Sequence, residues 1–243
     1  MKSLTKLLLA IALTTGTIGY TIAKANTIII NTQNTEDRHL SGFSSVDVGG
    51  SFDVIITQGS TESVKVTAPS DIMNRIITEV EGGVLKIHTK NGSDWNNMFG
   101  HKKIVVYVSA KTLNGVTLSG SGDVKFDQGV RANSFKLKLS GSGDLSGKLD
   151  VKTLETSLSG SGDIKISGRA DESSVSIVGS GDFSGKELVT NSTSIRVAGS
   201  GDAKVNVNQK LDASVVGSGD IYYTGSVKTI NSSKAGSGEI HRM

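Results

Sequence analysis

Leu158-Ser159-Gly160-Ser161-Gly162-Asp163 decides the reading of this chain, because it does not stand alone. The same six residues occur at 118–123 and 139–144. The tetrapeptide Gly-Ser-Gly-Asp returns at Gly179–Asp182, Gly199–Asp202 and Gly217–Asp220, and closes as Gly236-Ser237-Gly238-Glu239. Successive acidic positions are 21, 19, 19, 20, 18 and 19 residues apart. A period near 20 is the mark of a stacked repeat architecture. Such solenoids offer long flat or concave faces, which suit binding better than a buried catalytic cleft.

Working outward from the motif, like positions hold like residues. Two places before the first glycine stand Leu118, Leu139, Leu158, Ile177, Val197 and Val215. Four places before it stand Val116, Leu137, Thr156, Val175, Ile195 and Ala213, with Thr156 the exception to an apolar row. Directly after the acid come Val124, Leu145, Ile164, Phe183, Ala203, Ile221 and Ile240. Alternation at every second place is the pattern of a strand with one buried face. Each unit thus has one strand running into a turn and one running out, and no unit can close a core alone. Stacked in register about 4.8 Å apart, the units form continuous aliphatic rows, with backbone groups pairing from coil to coil.

The expected fold is therefore all-β, a parallel β-helix with Gly-Ser-Gly-Asp corners. The corner glycines are Gly120 and Gly122, Gly141 and Gly143, Gly160 and Gly162, Gly179 and Gly181, Gly199 and Gly201, and Gly217 and Gly219. Glycine suits a sharp corner because it reaches positive φ at little cost. The serine and aspartate side chains can accept hydrogen bonds from corner amides. In the last unit Ser232 and Lys234 replace the inward apolar pair, as a polar terminal cap should. An antiparallel sandwich would alternate too, but gives no reason for one tetrapeptide to recur in a fixed apolar frame. A transmembrane barrel needs longer strands and aromatic girdles, which this sequence lacks.

Residues 1–25 read as a signal peptide. Lys2 and Lys6 precede the apolar run Leu7–Leu13, and Ala23-Lys24-Ala25 fits a small-x-small cleavage site. Without those residues, 23 basic groups face 23 acidic ones, so the basic character of the whole chain comes from its first segment. A neutral remainder gives no support for a nucleic-acid partner or for charge-driven binding to anionic lipid. No apolar run is long enough to span a membrane. Cysteine is absent, so stability must come from burial and hydrogen bonds, and a lipobox anchor is excluded.

Residues 26–42 are expected to form a polar lead-in, and 43–112 read as an N-terminal β region ahead of the repeats at 113–243. In that region Phe52, Val54 and Ile56 alternate, as do Val64 and Val66, and Ile104, Val106 and Val108. Ser70–Ile77 is expected to hold a short helical turn after Pro69, capped by Ser70 or Asp71. Asn91–Lys103 is a long polar loop whose Trp95, Phe99 and His101 make the best non-repetitive binding candidate. Its aromatic rings could stack on a sugar or a partner, or fold back over one end of the core.

The acids are the most suggestive constellation. Asp123, Asp144, Asp163, Asp182, Asp202 and Asp220 should line one corner. Carboxylates about 5 Å apart repel by roughly 1 kcal/mol in water, so solvent, backbone donors or a cation must offset them. Calcium is the cation that hard carboxylate oxygens suit, although the known calcium β-roll has a shorter, differently spelled repeat. Catalysis is less well served. The serines serve as turn formers, no histidine pair has metal-binding spacing, and equivalent corners lack the acid–base asymmetry of a glycosidase.

One further reading rests on likeness. Phe43-Ser44-Ser45-Val46-Asp47-Val48, then Gly50-Ser51-Phe52-Asp53-Val54, then Glu79–Ile87 ahead of the serial tetrapeptide, resembles the bacterial "putative auto-transporter adhesin, head GIN domain" family. The resemblance covers about residues 43–240. It implies an exported right-handed, pectate-lyase-like β-helix with no recognised catalytic set. The expectation is then a non-catalytic adhesion or cell-envelope binding module, periplasmic or on the cell surface, with a glycan or protein of the envelope as partner. A polysaccharide-active enzyme and a calcium-stabilised stalk are the alternatives.

Overall fold

A row of aliphatic residues two places before each motif can be buried only by another copy of itself, and the computed structural model shows that stacking. It describes residues 33–90 and 103–243; the expected signal peptide and Trp95, Phe99 and His101 lie outside the described residues. The amino-terminal region holds strands Gln33–Asp37 (β1), Ser45–Gly50 (β2), Asp53–Gln58 (β3), Ser63–Pro69 (β4), Ile76–Glu81 (β5), Val84–Thr89 (β6) and Val105–Ala110 (β7). Next come Gly115–Gly120 (β8), Val124–Phe126 (β9) and Val130–Gly141 (β10), followed by the long strands Leu145–Gly160 (β11), Ile164–Gly179 (β12), Phe183–Gly199 (β13) and Ala203–Gly217 (β14). Ile221–Thr224 (β15), Thr229–Gly236 (β16) and Ile240–Arg242 (β17) complete the set.

These strands wind into a parallel β-solenoid of about seven turns. On the side that leads into the corner, β6, β2, β8, β10, β11, β12, β13, β14 and β16 lie parallel in that order. On the side that leads out, β7, β3, β9 and the first residues of β11 to β14 are followed by β15 and β17. The rows expected from sequence are in register. Val48, Leu118, Leu139, Leu158, Ile177, Val197 and Val215 stack directly on one another and are all buried. Val54, Val124, Leu145, Ile164, Phe183, Ala203 and Ile221 form a second row, in which the bulk of Phe183 sits beside the small Ala203. Thr156 occupies its place in the third row, 1% exposed, with its hydroxyl unpartnered.

The coils are not stacked in chain order. The chain first builds the coil β2–β3, next lays β6 and β7 on one side of it, and afterwards crosses to place β8 and β9 on the other. The change of sequence style near residue 112 is therefore no break in the stack. Beyond β7, β4 and β1 continue one sheet antiparallel, and β5 does the same beyond β6. Ile72, Met73 and Ile76 close this end of the core. The expected helical turn is a single 3-10 turn, Met73–Arg75. It starts after Ile72 with no side-chain cap, so neither Ser70 nor Asp71 is its N-cap: the Ile72 amide bonds to the Pro69 carbonyl and places the turn later.

The uneven spacing of the motifs is absorbed away from the corner. Pairing slips between Lys165 and Ser167, between Gly185 and Val189, and between Thr190 and Ser192, all on the part of the coil that runs on from the rail and its flanking row. The strands leading into the corner pair without interruption from β8 to β14.

Candidate binding face

The corner is a closed hydrogen-bond system that the sequence spells out. The first-glycine carbonyl of one coil accepts both the serine and the second-glycine amides of the next, as when Ser161 and Gly162 donate to Gly141 at 2.9 and 3.1 Å. The aspartate amide is left over, and the aspartate of the preceding coil accepts it. Asp144, Asp163, Asp182, Asp202, Asp220 and Glu239 each donate their amide to Oδ1 of the acid one coil earlier, at 2.7–3.2 Å. The predicted acids are thus brought together as an unbroken rail from Asp123 to Glu239. Backbone donors supply the offset to their mutual repulsion. At Asp220 both oxygens are engaged: the Glu239 amide and the Tyr222 hydroxyl, 3.1 Å from Oδ2, hold its carboxyl below the usual range. The same carboxylate pushes the Tyr222 phenol up.

Both glycines are demanded by this packing. A Cβ on Gly160 would come within 2.2 Å of the Gly141 carbonyl oxygen, and one on Gly162 within 2.0 Å of the Gly143 oxygen. Gly160 also holds φ +127°. Sequence reading missed one coil of this series. Gly50-Ser51-Phe52-Asp53 pairs in register with Gly120-Ser121-Gly122-Asp123, with Phe52 in the second glycine's place and fully buried. One altered residue hid it; the flanking Gly-Ser and Asp were the available signal.

Two places beyond the rail, the outgoing strands turn another row to solvent: Lys125, Ser146, Lys165, Ser184, Lys204, Tyr222 and His241. Lysines recur every second coil, about 10 Å apart, with short serines between them. The gaps form two shallow depressions. One of about 310 Å³ lies around Ser146, Lys165 and Ser184. The other, of about 320 Å³, runs between Asp144, Asp163, Asp182 and Asp202 on the rail and Lys165 and Lys204 on the row. Tyr222 and His241 stack at the carboxyl-terminal end, with ring centroids 5.4 Å apart. This face presents alternating acceptors and donors over several coils, which is the chemistry for holding an extended polar ligand.

Among the described residues, no three acidic or histidine groups converge as metal ligands do. The aspartates stand in file, one per coil. Trp95, Phe99 and His101 fall outside the described residues, but the strands that flank them are fixed. β6 stacks on β2 and β7 on β3.

A family model matches residues 42–227, and its description is "putative auto-transporter adhesin, head GIN domain". The chain belongs to this family. No curated protein sequence matches it. Among solved structures, a "putative adhesin" from Bacteroides fragilis superposes with a TM-score of 0.80 at 25% identity, over 87% of this chain and 97% of that one. A "putative lipid binding protein" from Parabacteroides distasonis gives 0.70 at 26% identity, over 88% and 98%. A "putative adhesin" from the same species gives 0.72 at 25% identity, over 88% and 98%. The matched segment takes in the coils from β2 to β15.

Proposed function

We propose that this protein is a non-catalytic binding module of the cell envelope or cell surface, which grips its target along the rail and the lysine row. The carrying observation is the groove bounded by Asp144, Asp163, Asp182 and Asp202 on one side and by Lys165 and Lys204 on the other. It is open, several coils long and lined by both signs of charge, so it fits an extended polar chain, a glycan of the envelope being the first candidate. Family membership and the neighbours described as adhesins support an exported, adhesive role. Equivalent carboxylates in equivalent settings supply no separate acid and base, which favours holding a glycan over cutting it.

Retention of the protein on isolated envelope glycans tests this reading. The double variant Lys165→Glu/Lys204→Glu should lose retention, while Lys138→Glu on a different strand face should keep it. Equal retention of all three proteins would overturn the assigned face, and release of shortened glycan would overturn the non-catalytic reading. Protease shaving of intact cells tests location: cleavage supports surface display, and protection until the outer membrane is opened moves the target to the periplasm.

A further inference from the structure

Two strands of the described fold have every residue exposed, and they lie at opposite ends of the stack. Among the described residues, β1 is bound only to β4, at the end beyond β7. β16 is likewise bound only to β14, at the end where the coils finish. Each therefore offers one row of backbone donors and acceptors to solvent, which is a template for another strand. Natural edges of this kind are commonly blocked by charge, and both of these carry it, with opposite signs. β1 ends in Glu36 and Asp37. β16 carries Lys234 and follows directly on Lys228. A lysine on an edge repels a second lysine edge but is matched by an acidic one. The charges have local neighbours, Arg38 for Glu36, His39 for Asp37 and Glu239 for Lys234, at 3.4–3.7 Å. Glu36, Asp37 and Lys234 are themselves exposed, and pairs at such positions hold weakly; Arg38 is half-buried and is also held by the Met73 carbonyl, so it does not depend on Glu36.

We propose that the carboxyl-terminal edge β16 of one copy pairs with the amino-terminal edge β1 of a second copy, joining molecules head to tail. The two edges are different surfaces, so the joint is heterologous and does not close on itself at two copies. It generates a chain of solenoids that lengthens with concentration. Backbone pairing supplies the adhesion, and the acidic-to-basic match supplies direction and selects against β16–β16 and β1–β1 contacts.

The test uses the full chain without its first 25 residues, followed by sedimentation velocity over a concentration series. The expected result is a mean mass that rises past the dimer and falls again as salt is added. Lys234→Glu alone and Glu36→Lys/Asp37→Lys alone should each weaken association by about tenfold or more, because like charges then face each other. Mixing the two variants restores complementary ends, so the mixture should assemble where neither does alone. That restoration also shows that both variants are folded. A wild-type protein that stays monomeric, a mass that stops at the dimer, or variants that assemble as well as wild type would each overturn the proposal, as would a mixture that stays dispersed.

Discussion

At the scale of single residues, the fold rests on what each corner and core position will tolerate. Gly162 has no room for a methyl group, because the Gly143 carbonyl oxygen would lie 2.0 Å from it. Gly162→Ala should force the coils apart and cost roughly 1–3 kcal/mol, the range for overpacking. Gly42 gives the contrast: it holds φ +82° with nothing within 4 Å of an added Cβ, so Gly42→Ala costs only backbone strain of about 1 kcal/mol. Paired thermal or denaturant melts decide whether close approach or conformation dominates. Thr156 offers the opposite test. Its buried hydroxyl has no partner, and the residues stacked on either side, Leu137 and Val175, are apolar and buried. Thr156→Val should therefore stabilise the protein by about 1 kcal/mol, raising Tm by roughly 2–4 °C. An unchanged or lower Tm would mean that the hydroxyl is satisfied in solution. The threonine looked like a flaw in the sequence row, and it proves to be a polar residue kept in an apolar place.

At the scale of elements, the aspartate rail explains why the motif ends in an acid. The strands on either side of the corner pair through backbone alone, but the aspartate amide needs an acceptor, and the preceding carboxylate provides one. Asp220 is the position where this bears most clearly on pH. Its carboxyl lies below the usual range because two donors, the Glu239 amide first and the Tyr222 hydroxyl second, bond to its charged form. A depressed carboxyl contributes stability that is complete above the unfolded value, near 4, and is lost as pH falls through the folded value. Wild type should therefore exceed Asp220→Asn in Tm at pH 7, and the gap should close as the pH falls through the depressed folded-state value. A gap independent of pH would remove this account. Because the rail binds its own amides and its oxygens stand in file, calcium or a chelator should leave Tm unchanged at neutral pH; a calcium-dependent rise abolished by Asp163→Ala would support the stalk reading instead. How much of this was legible follows from the same geometry. The corner and its three rows were readable because identical side chains must recur where identical backbones stack. The coil Gly50–Asp53 was not, because at the start of the motif series Phe52 could replace glycine and plug the core.

At the scale of the whole molecule, the order of the coils lay beyond sequence reading. Periodicity shows which residues stack, but not that β6 and β7 return beneath β2 and β3 before the chain proceeds. Each coil is bonded only to its neighbours, so damage should spread along the stack. Ile177 is fully buried between Leu158 and Val197. Ile177→Asp buries an unpaired charge, at a cost of at least about 3 kcal/mol, and hydrogen exchange should show lost protection in β11 and β13 as well as in β12. Loss confined to β12 would contradict a cooperative stack. The place where register slips carries a different consequence. Among the described residues, the register slips lie on the outgoing and return parts of the coils, around Ser167, Lys186 to Leu188 and Asn191, while the strands that lead into each corner are uninterrupted from β8 to β14. One flank of this molecule can therefore gain or lose a residue and stay folded, whereas the same insertion between Leu158 and Gly160 would turn an aliphatic row to water. Length variation among descendants of this gene should be written almost wholly on that permissive flank, or else arrive in whole coils.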